Sequence, residues 1–182
     1  MLKSKIRKKI LKIRQSKNNG KITIKFNRVY DFLKRTTNLK KKIIGGYYPV
    51  NYEVDDLEIL KKFKKKRIKV ALPAIKKNFQ MNFIWFELDK PLIINQYGIP
   101  EPSEKKIVYP DILLIPLVAF DKKLNRLGYG AGFYDRYINS LKKVKKIILI
   151  GLAFNFQQVN SIPVSKYDQK LDYIITNKRI LK

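Results

Sequence analysis

Apolar positions recur along this chain with two different periods. In residues 2–15, Ile6, Ile10 and Ile13 fall at i, i+4 and i+7, the spacing of one helix face. Lys3, Arg7 and Arg14 share an adjoining stripe at ~100° per residue. A helix docked through its isoleucines would present these cations together, and a surface helix with solvated cations has the same spacing. NNG at 18–20 signals a turn. Residues 28–39 fit a second helix, although ITIKF just before them reads as a strand. KIIGGYYPV at 42–50 predicts a strand ending at Pro49. Residues 55–66 predict a helix, with acids in the first turn and lysines in the last, as the helix dipole favours. RIKVALPAI at 67–75 predicts a strand stopped by Pro73, and FIWFEL at 83–88 another. The runs at 111–120, 146–154 and 173–176 complete the set.

Strands alternate with helices, and several strands are apolar without interruption. That pattern predicts an α/β fold, a three-layer sandwich whose mainly parallel central sheet is flanked by helices. The 182 residues suit one domain over 1–182, and neither a repeat nor a linker divides them. Ligands of such sheets gather at the carboxyl ends of strands.

Composition narrows the chemistry. The chain has neither cysteine nor histidine. This excludes disulfides, thiolate metal sites, Ser-His-Asp and Cys-His catalysis and histidine zinc sites. Acid–base or metal chemistry must then use carboxylates, lysines, tyrosines or substrate groups. The net charge is +27, and residues 1–42 hold 16 Lys/Arg against one acid, Asp31. A polyanion partner would use this charge. Lysine runs on solvated faces would also produce it, and no RNA-binding aromatic motif or zinc finger accompanies it. We therefore expect no specific nucleic-acid partner. The longest apolar runs fall far short of ~20 residues and the N-terminus lacks an apolar signal core, so the expectation is a cytoplasmic protein with no membrane association.

The segment NRLGYGAGFYDR at 125–136 concentrates the candidate chemistry. Gly128, Gly130 and Gly132 alternate between an apolar run and a helix-like segment. Strand, glycine-rich turn and helix aim backbone N–H groups at an anion. Arg126 at the entrance would bring positive charge to a phosphate, and Asp135 at the exit could hold a magnesium ion. The spacing is neither that of the nucleotide P-loop nor of the dinucleotide fingerprint. On pattern alone, a phosphate cradle and a tight structural turn both remain open.

Further residues carry a resemblance. P-x-x-A-F-D followed by N-R-L-G-Y-G-x-G-x-Y-D spans Pro116–Asp135. The pair Lys3 and Arg7, Y-P-V-N-Y-E-V-D at 48–55, Y-G-I-P-E-P at 97–102 and I-P-V-S-K-Y-D-Q-K-L-D at 162–172 stand in the same order as in one family. The chain resembles the 5-formyltetrahydrofolate cyclo-ligases, also called methenyltetrahydrofolate synthetases. The resemblance implies an ATP- and magnesium-dependent conversion of 5-formyltetrahydrofolate to 5,10-methenyltetrahydrofolate, with release of ADP and phosphate. The formyl oxygen would attack the γ-phosphate, and N10 would then close onto the activated carbon. Arg126 and Asp135 would be catalytic. Lys3, Arg7, Arg126 and the loop Leu127, Gly128, Tyr129, Gly130, Ala131, Gly132, Phe133 and Tyr134 would bind ATP. Tyr48, Glu53, Tyr97, Phe133 and Tyr134 would bind the folate, with Glu53 accepting from pterin N–H groups. Asp135 and Asp172 would hold Mg2+. The partners would be these two small molecules, with the folate in simple or polyglutamylated form, and the protein a monomer. Tyr129 and Ala131 stand where some family members carry a basic residue. Phe133 replaces a frequent tyrosine, and Ile75 lies where an aromatic or polar pocket residue can occur.

Overall fold

The computed structural model describes residues 2–17, 22–104 and 106–182. The turn expected at 18–20 lies outside the described residues. Four α-helices are described: α1 (Leu2–Lys17), α2 (Phe26–Thr36), α3 (Asp56–Lys65) and α4 (Phe133–Lys142). The strands are β1 (Ile43–Gly45), β2 (Lys69–Ile75), β3 (Met81–Trp85), β4 (Leu92–Ile94), β5 (Pro100–Pro102), β6 (Ile107–Val108), β7 (Ile112–Pro116), β8 (Ala119–Phe120), β9 (Arg126–Leu127), β10 (Ile148–Ala153), β11 (Tyr173–Thr176) and β12 (Ile180–Leu181).

Eight strands form one sheet in the order β12-β11-β10-β7-β1-β2-β3-β6. Its centre, from β11 to β2, is parallel, and antiparallel β12, β3 and β6 close the edges. Alternation within the apolar runs assigns the faces. Ile112 and Leu114 of β7 join a core with Val29 and Leu33 of α2 and Leu60 and Phe63 of α3. Leu113 and Ile115 point the other way, to Ile138 and Leu141 of α4. Both faces are covered, so the strand is apolar at every position. The fold is the expected three-layer α/β sandwich. From β1 the chain moves to β2 on one side and later to β7 on the other. This reversal opens a crevice at the carboxyl ends of β1 and β7.

The remaining elements frame that crevice. β8 and β9 form a small antiparallel ribbon beyond β7. Ile10 of α1 is buried against Val118, Ala119, Leu127 and Ile162, with Ile6 and Ile13 packed alongside. The isoleucine face therefore docks α1 onto the ribbon rather than leaving it on the surface. β4 and β5 form a separate two-stranded hairpin.

Three expectations need correction. ITIKF is not a strand: Phe26 opens α2, where Phe26, Val29 and Leu33 are buried on one face. The strand expected over 42–50 shrinks to Ile43–Gly45, because the chain turns aside after Gly46 to build the crevice wall. Pro73 does not stop β2. It lies within the strand opposite Phe83. The β1 pairing ends at Ala71, so one side of β2 needs no N–H donor at Pro73.

That departure after β1 depends on a close approach. Asp56, the first residue of α3, is fully buried, and its Oδ2 accepts from Tyr47 N–H at 2.8 Å. A Cβ on Gly46 would stand 2.0 Å from this oxygen and 2.7 Å from Leu60 Cδ1. The carboxylate cannot retreat without losing its hydrogen bond. Gly46→Ala is expected to destabilise the fold by about 1–3 kcal/mol, measured by urea denaturation, as overpacking of a filled site does.

Candidate active site

The crevice is a cavity of about 800 Å³. It receives Lys3 and Arg7 from α1, Tyr48 and Glu53 from the segment after β1, Tyr97 from the β4–β5 hairpin, and the whole glycine segment Arg126–Asp135. Fifteen of the sixteen site residues expected from sequence thus line one cavity, and Ile75 lines it too. The exception is Asp172. Its Oδ2 accepts from Leu149 N–H at 2.8 Å, near the start of β10, and it is exposed away from the cavity. It lies at the opposite end of β10 from the carboxyl ends that frame the crevice, so a metal role there has no support from its position.

The glycine segment supplies N–H groups and fixed charge. Gly132 is the N-cap of α4 at φ +71°, and Gly130 stands at φ +116°, conformations that side-chain-bearing residues rarely adopt. A glycine cap has no side chain to satisfy the first N–H groups of the helix, so this end of α4 faces the cavity uncapped. Such a terminus attracts anions. Arg126 donates through NH2 to Asp135 Oδ1 at 2.7 Å, and Gln169 N–H reaches the same oxygen at 2.9 Å. Both of these hydrogen bonds fall on Oδ1 and neither uses Oδ2. Burial pulls the Arg126 guanidinium below its ordinary pKa, and Asp135 opposes that shift. Arg126 Nε is buried without a partner. Arg7 Nε donates to Gly128 O at 2.8 Å, which ties α1 to the glycine loop.

Lys3 pairs with Asp168 at 2.6 Å. Burial raises the Asp168 pKa, but Lys3 and the Ser165 N–H outweigh it and hold the carboxyl below its usual value. Asp168, with Lys166, Tyr167 and Gln169, forms a cavity wall absent from the expected set. Its signal was its place in the motif at 162–172. Asp172 drew attention within the same motif, but Asp168 is the acid that meets the basic stripe.

The segment after β1 carries a second kind of chemistry. Asn51 and Tyr52 both have positive φ, +47° and +60°, and Glu53 N–H closes the turn onto Val50 O at 3.0 Å. Two successive positive φ values in non-glycine residues store strain. They fold Glu53 back so that Oε2 accepts from Val50 N–H at 2.9 Å, while Oε1 is buried without a partner. Glu53 is not the cap of α3. Asp55 is, accepting from Glu58 N–H at 3.1 Å.

Burial raises the Glu53 pKa from 4.5 to about 7, against the pull of the Val50 N–H, Arg14 and Tyr129. Tyr134 also presents a buried hydroxyl without a partner, and burial and the nearby carboxylates push its pKa well up. Buried polar atoms left unpaired in a native fold call for a ligand or water to complete them. Arg14, on the basic stripe but outside the expected set, is 1% exposed. It donates to Leu117 O at 3.3 Å and to the Tyr129 hydroxyl. Tyr129 therefore brings no cation of its own but holds one beneath the glycine loop. Aromatic rings complete the wall: Tyr97 meets Phe133 edge-on at 5.7 Å.

With this geometry in place, the comparisons with known proteins fall on one family. The sequence model of the 5-formyltetrahydrofolate cyclo-ligase family matches residues 1–177. The chain belongs to that family. It is 37% identical over 138 residues to the 5-formyltetrahydrofolate cyclo-ligase of Haemophilus influenzae, covering 71% of this chain and 73% of that protein. It is 30% identical over 135 residues to the Escherichia coli enzyme of the same name, covering 70% and 74%. The solved structure of Aquifex aeolicus 5,10-methenyltetrahydrofolate synthetase superposes with a TM-score of 0.81 at 30% identity, over 100% of this chain and 93% of that one. The chain is thus an enzyme with the ligase activity of its family. Among the described residues no helix is long and apolar enough to cross a membrane.

The raised Glu53 pKa has a consequence for stability. Between pH 4.5 and about 7 the folded protein holds a proton that the unfolded chain releases, so this group lowers stability as pH rises through that window. Glu53→Gln mimics the protonated form. Its stability relative to the parent is expected to rise from pH 5 to pH 8, by at most ~3 kcal/mol, in thermal unfolding across that range.

Proposed function

We propose that the cavity converts 5-formyltetrahydrofolate to 5,10-methenyltetrahydrofolate at the expense of ATP, with Mg2+ as the metal and ADP and phosphate as by-products. The observation carrying this reading is that one cavity holds both an uncapped helix N-terminus ringed by Lys3, Arg7 and Arg126 and a buried carboxylate, Glu53, with an oxygen free for an N–H donor. The first arrangement suits a triphosphate, and the second an aminopyrimidine edge.

The formyl oxygen of an amide is a poor leaving group until it is phosphorylated. Phosphoryl transfer asks the protein for position and charge rather than covalent participation, which a chain without histidine or cysteine can supply. The uncapped N–H groups at the start of α4 and the Arg7 and Lys3 side chains hold the phosphates. The Arg126 guanidinium, fixed by Asp135, stabilises charge on the transferred group. Glu53 and the rings of Tyr48, Tyr97, Phe133 and Tyr134 orient the folate so that its formyl oxygen faces the γ-phosphate. Once oxygen is phosphorylated, N10 attacks the formyl carbon and phosphate departs with the former formyl oxygen.

Among the described residues no group of three or more acids, histidines or cysteines could cage a metal. Magnesium is commonly held by one or two carboxylates with substrate phosphates and waters, and Asp135, whose two hydrogen bonds both use Oδ1, has its second oxygen for that mode. When bound there, Mg2+ would neutralise phosphate charge. We place the reaction in the cytoplasm and read the enzyme as a monomer acting on these two small molecules.

The direct test is near-ultraviolet absorbance with 5-formyltetrahydrofolate. The methenyl chromophore is expected to grow only when both ATP and Mg2+ are present, and growth without ATP would refute the mechanism. Arg126→Lys keeps the charge but loses the planar fork to Asp135. Its turnover number should fall roughly 10²-fold, as loss of one charge-stabilising donor does, while the fold survives by circular dichroism. Asp135→Ala should lose turnover and raise the Mg2+ concentration needed for half-maximal rate, and an unchanged Mg2+ requirement would remove Asp135 as a ligand.

A further inference from the structure

The motif at 97–102 places one ring, Tyr97, at the cavity and also contains a buried carboxylate, Glu101. β4 and β5 pair only with each other. The outer part of their hairpin is exposed, with Ile93, Ile94 and Tyr97 at 49%, 67% and 48%, while Leu92 packs on the core and Glu101 and Pro102 are buried. A two-stranded hairpin is marginally stable on its own in water, so its pose over the cavity is set by its attachments.

Glu101 is such an attachment. It is 8% exposed, and its Oε2 accepts from Ile75 N–H, the last residue of β2, and from Asn95 Nδ2, both at 2.8 Å. Asn95 passes this anchorage on. Its Oδ1 accepts from Tyr97 N–H at 2.9 Å and Ile99 N–H at 3.1 Å. Backbone bonds from Asn95 N–H to Ile99 O and from Gly98 N–H to Asn95 O close the turn. One carboxylate oxygen therefore joins the end of the main sheet to the side chain that shapes the Tyr97 turn. Ile75, Asn95, Tyr97 and Ile99 line the cavity, and Glu101 itself does not.

We propose that Glu101 is a positioning residue that acts through Asn95 to hold Tyr97 against Phe133, and so sets affinity for the folate rings without touching either substrate. This rests on the reading that places the folate against Tyr97. The role needs an acceptor at Oε2, not a negative charge. Glutamine at 101 can offer its amide oxygen to the same two donors, and alanine cannot. The effect must also be one-sided, because the phosphate-facing groups sit on α1, β9 and α4, which Glu101 does not bond.

The experiment is steady-state kinetics on the full chain, varying each substrate with the other saturating. Glu101→Ala is expected to raise KM for 5-formyltetrahydrofolate about tenfold or more, while KM for ATP moves less than about twofold. Glu101→Gln should return within about threefold of the parent. In a Tyr97→Ala background, Glu101→Ala should add less than about twofold, since residues acting as a unit are not additive. Hydrogen exchange should show lost protection at the Tyr97 and Ile99 amides in Glu101→Ala only.

An unchanged folate KM in Glu101→Ala overturns the proposal. So does an equal rise in both KM values, or a glutamine variant as impaired as alanine. If Glu101→Ala does not fold, Asn95→Ala tests the same relay, with the same folate-only rise expected and its absence decisive against it. Where Tyr97→Ala by itself leaves the folate KM unchanged, the folate placement has failed. Where Tyr97→Ala impairs folate binding and Glu101→Ala does not, only the positioning role has failed.

Discussion

β7 and β10 have no face left for water. Ile112 and Leu114 enter one core, Leu113 and Ile115 the other, and Leu149 and Ile150 divide in the same way. A charged side chain anywhere along these strands would be stranded without a partner, at a cost far above what one contact returns. The chemistry is therefore displaced to the strand ends. At the β1–β7 reversal the segments leaving both strands diverge, and the space between them is the cavity. The position of the active site is thus a consequence of burying the parallel sheet on both sides.

Charge inside the cavity is organised differently from charge on the surface. The chain carries +27, yet the groups that matter are a few cations held by specific acceptors. Arg126 is tied to Asp135, Lys3 to Asp168, Arg7 to Gly128 O and Arg14 to Leu117 O and Tyr129. Each contact fixes the direction of a long side chain before a ligand arrives, which reduces the ordering needed on binding. Some surface lysines are paired as well, Lys61 with Glu58 and Lys145 with Asp111, but the excess of cations over acids leaves a general attraction of anions.

Glu53 is the counterpart. A carboxylate turned into a buried site by two strained residues, with one oxygen unpaired, is unfavourable in the empty protein. Burial outweighs Arg14 and Tyr129 and moves its proton affinity to about neutral. An N–H donor from a ligand removes that penalty, so the strain and the raised pKa belong to a site prepared for a partner. Asp56, buried behind it and also shifted upward by burial, holds the Tyr47 N–H and keeps the segment in place.

Local pattern was enough for much of this protein. The isoleucines of α1, the acid-to-lysine gradient of α3 and the doubly apolar runs of β7 and β10 each state a period or polarity that one element satisfies. The ordered motifs pointed to the family and to about half of the cavity lining. Sequence could not decide where an element stops when the reason lies elsewhere: β1 ends early because Asp56 takes the Tyr47 N–H, and Pro73 fits inside β2 because β1 has already ended. Nor could it choose between Asp168 and Asp172 within one motif. Both are acids in the motif at 162–172, and only the docking of α1 brings Lys3 to the first, while the second is held by Leu149 at the far end of β10. Arg14 was visible on the basic stripe, but its burial was not, nor was that of Glu101, since each is held by a hydrogen bond to backbone more than 20 residues away. Residue types and periods determine elements and candidate chemistry, because these depend on neighbours in sequence. Which acid meets which cation depends on how distant segments pack, and that was decided by the tertiary structure alone.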